Sequence, residues 1–138
     1  MNILFFLTPK VRCEHLYDDE SIREALERME LAGYQALPII RKKDGSYAGT
    51  LTEGDLLWAL KNLCQMDLKR AECHNIMEIT HKKDNEAVPV STGMEELLLK
   101  SLDQNFIPVV DDRNTFIGIV TRKSILLQYV RELTQEVN

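Results

Sequence analysis

Apolar residues along the chain follow two patterns, one typical of amphipathic helices and one typical of short buried strands. From Ser21 to Gly33 they recur at three- and four-residue spacing, which predicts a helix that buries one face. Ser21 and Glu24 have the spacing of a capping box at its start, and Gly33 is a typical C-terminal stop. The next two apolar runs, Ala36 to Ile40 and Tyr47 to Leu51, are short and nearly continuous. The turn between them predicts a hairpin of buried strands.

The same order of elements occurs twice in the sequence. Thr121 follows Thr52 by 69 positions (121 − 52 = 69), and Gly118 follows Gly49 by the same 69 (118 − 49). Each threonine is the last residue of an apolar strand and is followed directly by a helix whose apolar residues recur at helical spacing. A period of this length predicts two copies of a small unit, each with the order βαββα.

The pattern also predicts the remaining elements. They are a helix from Glu53 to Cys64, a strand at Val88 to Val90, a helix from Met94 to Leu102 and a closing helix from Ser124 to Leu133. Met1 to Leu7 is expected to be a buried strand or a turn, and Met66 to Glu72 a polar connection between the repeats. Because a unit of about 60 residues is marginally stable alone, the two repeats are expected to share a core.

The motif residues of both repeats resemble those of the cystathionine-beta-synthase (CBS) domain. The resemblance lies in an apolar strand with a central proline (Pro38, Pro108), a short turn, and then Gly-x-x-Thr entering a helix. Two such repeats resemble a stand-alone CBS pair, also called a Bateman module. The resemblance implies an α+β fold with pseudo-twofold symmetry, in which residues 1–70 form the first repeat and residues 71–138 the second.

Composition narrows the classes of function. The net charge of −5 and the pI near 5.2 argue against a nucleic-acid-binding protein, because duplex binding needs a concentrated basic face. No apolar stretch approaches the length of a membrane helix, and Met1 to Leu7 lacks the features of a signal peptide. Three cysteines at irregular spacing are typical of reduced thiols, which favours the cytoplasm.

Neither metal binding nor catalysis is favoured by the motifs. Cys13-x-His15 and Cys73-His74 contain possible metal ligands, but zinc-site spacing is absent from the sequence. The sequence contains no phosphate-binding glycine loop. It also contains no nucleophile in a recognisable setting that could act with His15, His74 or His81. We therefore expect a protein that is not an enzyme and needs no cofactor.

The first repeat has two residues suited to nucleotide recognition. Thr52 stands at the end of a strand and the start of a helix, where a hydroxyl and backbone N–H groups favour phosphate. Asp55 is three residues further on, and a carboxylate there can accept both hydroxyls of a ribose. The same spacing is also that of a capping box, in which the two side chains serve the helix itself. The CBS resemblance implies the ligand role, since these positions contact phosphate and ribose in that family.

The second repeat departs from this pattern. Thr121 is retained, but Ser124 replaces the aspartate and offers ribose only an uncharged contact. Arg122 and Lys123 favour phosphate there, whereas Glu53 opposes it in the first repeat. Arg122 and Lys123 are equally well interpreted as a solvated pair at a helix start.

The resemblance further implies an adenine slot in each repeat, in clefts between the repeats. It nominates Tyr34, Ala36 and Pro38 in one copy and Phe106, Ile107 and Pro108 in the other, with Lys10 and Lys82 near the mouths. Phe106 also fits the core of the second repeat.

Two functions remain open. The first is a regulatory module that senses an adenine nucleotide (AMP, ADP, ATP or cyclic di-AMP) and passes its state to a protein target. The alternative is an interaction module with vestigial pockets. In both cases we expect a homodimer formed through the helices, and neither a nucleic acid nor a membrane as partner.

Overall fold

The computed structural model describes residues 2–80 and 84–137. These residues form seven strands, namely β1 (Thr8–Pro9), β2 (Leu16–Tyr17), β3 (Ala36–Ile40), β4 (Tyr47–Thr52), β5 (Val88–Pro89), β6 (Phe106–Val110) and β7 (Phe116–Thr121). They also form five α-helices, α1 (Ile22–Ala32), α2 (Glu53–Asn62), α3 (Leu68–Ala71), α4 (Met94–Ser101) and α5 (Arg122–Val137). The order β2-α1-β3-β4-α2 returns as β5-α4-β6-β7-α5. The predicted α+β class and the doubled βαββα order are therefore confirmed.

Local signals of the sequence determine the ends of α1. The Ser21 hydroxyl accepts the backbone N–H of Glu24 at 3.1 Å, and the Glu24 carboxylate accepts the N–H of Ser21 at 3.1 Å. Gly33 ends the helix with a φ of 71°, a left-handed conformation that glycine adopts without strain. Ile22, Ala25 and Met29 form the buried stripe. The predicted capping box and stop are thus both present.

Each repeat has its own sheet, and the strands within the two sheets pair in the same register. In the first, β3 pairs antiparallel with β4 and parallel with β2; in the second, β6 pairs antiparallel with β7 and parallel with β5. Ala36 lies opposite Thr52, as Phe106 lies opposite Thr121. Both hairpins have an irregularity at the same place, after Ile39 and after Val109.

The chain forms two compact units. One unit consists of residues 14–84, and the other of residues 1–13 together with residues 85–138. Residues 1–13 belong to the unit that contains the second repeat because β1 adds to the edge of β7, with Thr8 opposite Ile119. Residues 71–84 belong to the unit that contains the first repeat, where Asn75 bridges to Ser21 and the Ile76 N–H donates to the Glu20 carbonyl at 3.0 Å.

Each unit buries its own apolar cluster. Residues 14–84 enclose a core that includes Leu16, Ile22, Leu37, Leu51 and Leu56. The other unit encloses Ile3, Val88, Leu97, Ile107, Val109, Val120 and Ile125.

One stretch contains a helix that was not predicted, and another adopts one of its two predicted alternatives. The connection from Met66 to Glu72 contains α3, which starts where the Asp67 carboxylate accepts the Lys69 N–H at 2.9 Å and which buries Ala71. The start of the chain is a 3₁₀ turn at Ile3–Phe5, so the turn, not the strand, is the correct alternative there.

Candidate functional site

The junction between β4 and α2 brings Thr52 and Asp55 together. Thr52 is the N-cap, and its Oγ1 accepts the backbone N–H of Asp55 at 3.0 Å. Asp55 Oδ2 accepts the backbone N–H of Thr52 at 2.9 Å, which completes a capping box. Both residues are half-buried. The cap interpretation of this pair is therefore realised in the structure.

The cap leaves polar capacity at both side chains. A threonine hydroxyl that accepts one hydrogen bond still has a hydrogen to donate, and a carboxylate has about four lone-pair sites, of which the cap uses one. The N–H of Glu53 donates to the Gln35 carbonyl at 2.9 Å, so it is not available to an anion. The junction thus offers a hydroxyl donor and a carboxylate acceptor at the positive end of a helix.

The junction between β7 and α5 has the same backbone and different side chains. Thr121 Oγ1 accepts the Ser124 N–H at 3.1 Å and lies 2.8 Å from Ser124 Oγ. The Arg122 N–H donates to the Asn105 carbonyl at 2.9 Å, as Glu53 does to Gln35 in the first repeat. Here two hydroxyls stand in place of a hydroxyl and a carboxylate.

The Arg122 side chain has a structural contact. Its Nε donates to the carbonyl oxygen of Ser101, the last residue of α4, at 2.7 Å. A cation at the C-terminal end of a helix complements the helix dipole. The guanidinium has five N–H donors, so this bond leaves most of them for other acceptors.

The residues nominated for an adenine slot lie in different environments. Pro38, Ile107 and Pro108 are buried, Phe106 is 6% exposed, and Ala36 is half-buried. Phe106 is therefore part of the packed interior. Tyr34 is 57% exposed and lines a groove beside α1 and α2 together with Glu53 and Gly54.

Lys10 lies in the compact unit that contains the second repeat. It begins a short 3₁₀ turn directly after β1, the strand that pairs with β7. It is thus in the same unit as Thr121 and Ser124. Lys82 and His81 lie outside the described residues.

Asp84, the last residue of the unit formed by residues 14–84, is a polar residue that the sequence analysis missed. Its Oδ1 accepts the backbone N–H of Thr50, in β4, at 2.8 Å. The carboxylate occupies the space above Gly49, where an added Cβ would lie 2.6 Å from Oδ1. The Tyr47 hydroxyl, 2.5 Å from Thr50 Oγ1, has its pKa raised, first by burial and then by the Asp84 charge. A glycine inside a strand is a sign of such a close approach, and Gly49 was the available signal.

None of the helices formed by the described residues is both long and apolar enough to cross a membrane. Within residues 2–80 and 84–137, histidine, cysteine and carboxylate side chains do not gather in groups of three or more that would hold a metal ion.

Comparison with known proteins places the chain among solved CBS structures. The family described as "CBS domain" matches residues 9–62 and 76–131. A CBS domain protein from Streptococcus pneumoniae is 28% identical, with a TM-score of 0.81 and coverage of 94% of this chain and 87% of that one. Among curated protein sequences, none is similar enough to count as a relative.

Two further solved structures hold nucleotides. CbpB in complex with c-di-AMP is 24% identical, with a TM-score of 0.84 and coverage of 99% of this chain and 91% of that one. CBSX2 in complex with AMP is 24% identical, with a TM-score of 0.71 and coverage of 94% of this chain and 96% of that one. The first matched segment contains the βαββα order from β2 to α2, and the second contains the order from β5 into α5.

Proposed function

Because this chain belongs to the CBS domain family, we propose that it is a regulatory module that binds an adenine nucleotide and passes its state to a protein target. The observation that carries the proposal is the pairing of Thr52 with Asp55 at the start of α2. Asp55 accepts the two hydroxyls of the ribose, and the Thr52 hydroxyl donates to the phosphate.

The fold supports an adenine nucleotide as the ligand class. Two proteins that share this fold hold c-di-AMP and AMP in their solved structures. Both ligands present an adenine, a ribose and a phosphate. The Thr52 and Asp55 side chains match the last two of these groups chemically. No cofactor or catalytic step is part of the proposal.

The two junctions have different preferences in this proposal. The first has a carboxylate for ribose, with Glu53 beside it to oppose phosphate. The second has only the Ser124 hydroxyl for ribose, with exposed Arg122 and Lys123 to attract phosphate. The first junction is therefore the stronger site for adenosine and its monophosphate, and the second depends more on phosphate charge.

The proposal includes a homodimer formed through the helices. Large apolar side chains are exposed on α2 and on α5, among them Leu57, Trp58, Leu126, Val130 and Leu133. Such surfaces are typical of interfaces when they are contiguous. A dimer mass in light scattering at micromolar concentration tests this part, and a monomer mass refutes it.

One alternative has a specific observation in its favour. The capping box at Thr52 and Asp55 is complete, so both side chains have a sufficient structural role without any ligand. Ser124, which occupies the position of Asp55 in the second repeat, has no carboxylate. In this alternative the chain is an interaction module whose nucleotide pockets are vestigial.

A thermal-unfolding panel separates the two functions. A ligand present at about 100 times its dissociation constant stabilises the folded state by about 2.7 kcal/mol. We expect such a shift with at least one of AMP, ADP, ATP and cyclic di-AMP, and none with the matching guanine nucleotides. Equal curves with and without every adenine nucleotide would favour the interaction module.

A further inference from the structure

The side of the first repeat formed by α1 and α2 has an apolar groove of about 600 Å³. We call it the α1–α2 groove. Its apolar lining consists of Leu26, Met29, Leu56, Leu57 and Leu60, with Gly33, Tyr34 and Gly54 completing the wall. Two exposed carboxylates, Glu30 and Glu53, are the charged groups among the lining residues. An occupant of this groove therefore needs an apolar body and positive charge.

The second repeat carries the opposite charge at the equivalent place. Arg122 occupies the backbone position of Glu53, since each is the first residue of its helix and each donates its N–H to the strand-entry residue at 2.9 Å. Lys123 then takes the position of Gly54. The common strand register extends this equivalence through both hairpins. The start of the closing helix is thus acidic in the first repeat, at Glu53, and basic in the second, at Arg122 and Lys123.

The basic residues continue into an apolar stripe on α5. Leu126, Val130 and Leu133 follow Arg122 at spacings of four, four and three residues, which places all four on one side of the helix. The three apolar side chains are 47%, 56% and 43% exposed. We call this surface, with Lys123 at its edge, the α5 face. It combines an apolar body with positive charge, as the α1–α2 groove requires.

We propose that the α1–α2 groove of one copy of the chain receives the α5 face of a second copy. This inference rests on the proposed homodimer and specifies which surfaces meet in it. It brings Glu30 and Glu53 of one copy against Arg122 and Lys123 of the other. Complementary charges of this kind fix the register of an interface and disfavour wrong pairings.

The competing arrangement pairs each surface with itself. Groove against groove places Glu30 and Glu53 opposite the same two carboxylates. The α5 face against itself places Arg122 and Lys123 opposite the same two cations. Juxtaposed like charges at an interface cost several kcal/mol, about the scale that separates micromolar from millimolar association.

Single charge reversals change the affinity of the dimer in opposite directions in the two arrangements. In groove-to-α5 pairing, Glu30→Lys and Lys123→Glu each introduce a like-charge contact and weaken dimerisation roughly tenfold. The double variant Glu30→Lys/Lys123→Glu restores the dissociation constant to near that of the unmodified protein. In self-pairing, each single reversal relieves a repulsion and tightens the dimer. The measurement is sedimentation equilibrium of the nucleotide-free full chain.

Ionic strength gives a second readout with no substitution. Raising salt from about 0.01 M to about 0.15 M shortens the Debye length from about 30 Å to about 8 Å. Screening weakens the dimer if the facing charges are opposite and tightens it if they are alike. A dissociation constant that falls over this range by more than the screened repulsion between two chains of net charge −5 accounts for overturns the proposed pairing.

A matched control comes from the same helix. Glu27→Lys makes the same charge change on α1, but Glu27 does not line the groove, so it leaves dimerisation unchanged. Circular dichroism of each variant checks that the helices are intact. A loss of dimer with Glu27→Lys equal to that with Glu30→Lys assigns the effect to net charge and overturns the proposal.

The outcomes also separate this inference from the function on which it rests. A monomer mass for the unmodified protein removes the homodimer and with it the pairing. A stable dimer whose single charge-reversal variants dimerise more tightly refutes only the pairing of the groove with the α5 face. Neither result alters the thermal-unfolding test for adenine nucleotides, which reports on Thr52 and Asp55.

Discussion

Thr52 and Asp55 each accept the backbone N–H of the other, at 3.0 Å and 2.9 Å, so one pair of side chains both begins α2 and forms the candidate ribose and phosphate contact. The same reciprocal geometry joins Ser21 and Glu24 at the start of α1. The chain therefore contains a capping box at the candidate site and another that is unrelated to it. This makes the structural and the ligand roles separable by experiment.

Asp55→Ala is expected to lower both stability and nucleotide affinity. Loss of the cap acceptor and of a negative charge at the helix start costs about 0.5–1 kcal/mol of unfolding free energy. Loss of a charged hydrogen bond to ribose weakens binding by about 10- to 100-fold. Glu24→Ala is the matched control, since it removes the same part of the other box and should leave affinity unchanged. Urea unfolding and calorimetry with AMP measure the two effects. Equal affinity for both variants would assign Asp55 to the cap alone.

Ser124→Asp is expected to make the second junction resemble the first. An aspartate there can accept the Thr121 N–H and complement the α5 dipole, which raises the unfolding free energy by about 0.3–1 kcal/mol. It also supplies the missing ribose acceptor, so calorimetry with AMP should show tighter binding at a second site. Ser124→Asn provides an uncharged control of similar size. Stabilisation without any change in binding would mean that this junction does not hold a ribose.

Gly118→Ala is expected to disrupt the edge of the second sheet. An added Cβ would lie 2.2 Å from the Thr8 carbonyl oxygen, and Gly118 has a φ of 156°, where a side chain is strained. Overpacking of this kind costs about 1–3 kcal/mol. Gly49→Ala is expected to cost less, because there the Cβ meets the movable carboxylate of Asp84.

The control for these glycines is Gly93→Ala. Among the described residues other than its chain neighbours, no atom lies within 4 Å of the position of its added Cβ, and Gly93 has an ordinary φ of −84°. Urea denaturation should rank the three variants in the order Gly118, Gly49, Gly93 from most to least destabilised. A Gly118 variant as stable as the Gly93 variant would contradict the close packing of β1 on β7.

The buried carboxylate of Glu20 makes a pH-dependent contribution to stability. Glu20 is 5% exposed; burial raises its pKa and outweighs the opposing charge of Arg28, whose Nη2 lies 2.6 Å from Oε1. A carboxyl whose pKa is raised by folding stabilises the folded state at low pH, and this contribution is lost as pH rises through the folded-state pKa.

Glu20→Gln removes this titration. The unfolding free energy of the variant, relative to the unmodified protein, should therefore increase as pH rises above the ordinary pKa of a glutamate. Carboxyls whose pKa is lowered, such as Asp44, Glu78 and Asp111, act in the opposite direction but are common to both proteins and cancel in the difference. A relative stability that decreases with pH would mean that the Arg28 pair, not burial, dominates.

Local signals of the sequence were sufficient for the elements and for the candidate junctions. The box at Ser21, the stop at Gly33 and the repeated strand-to-helix step at Thr52 and Thr121 each depend on residues a few positions apart. The corresponding predictions of helix, hairpin and doubled unit are confirmed. Nucleotide contact by Thr52 and Asp55 stays a prediction, because a cap and a ligand site place the same residues at the same spacing.

Long-range contacts were not predictable in the same way. Nothing near Asp84 in the sequence indicates that its carboxylate binds the Thr50 N–H, 34 positions earlier (84 − 50 = 34). The contact of Arg122 Nε with the Ser101 carbonyl likewise depends on how α4 and α5 meet, since the two residues are 21 positions apart. The assignment of residues 1–13 to the later unit depends on the most distant pairing, between β1 and β7.

That distant pairing constrains the order in which the two units form during synthesis. Thr8 lies opposite Ile119, which leaves the ribosome 111 residues later (119 − 8 = 111). At about 5–20 residues per second, β1 waits roughly 6 to 22 s for its partner. Residues 14–84 are uninterrupted and emerge within that interval. The earlier repeat can therefore fold on the nascent chain while the segment before it, with its exposed Leu4 and Phe5, still awaits its sheet.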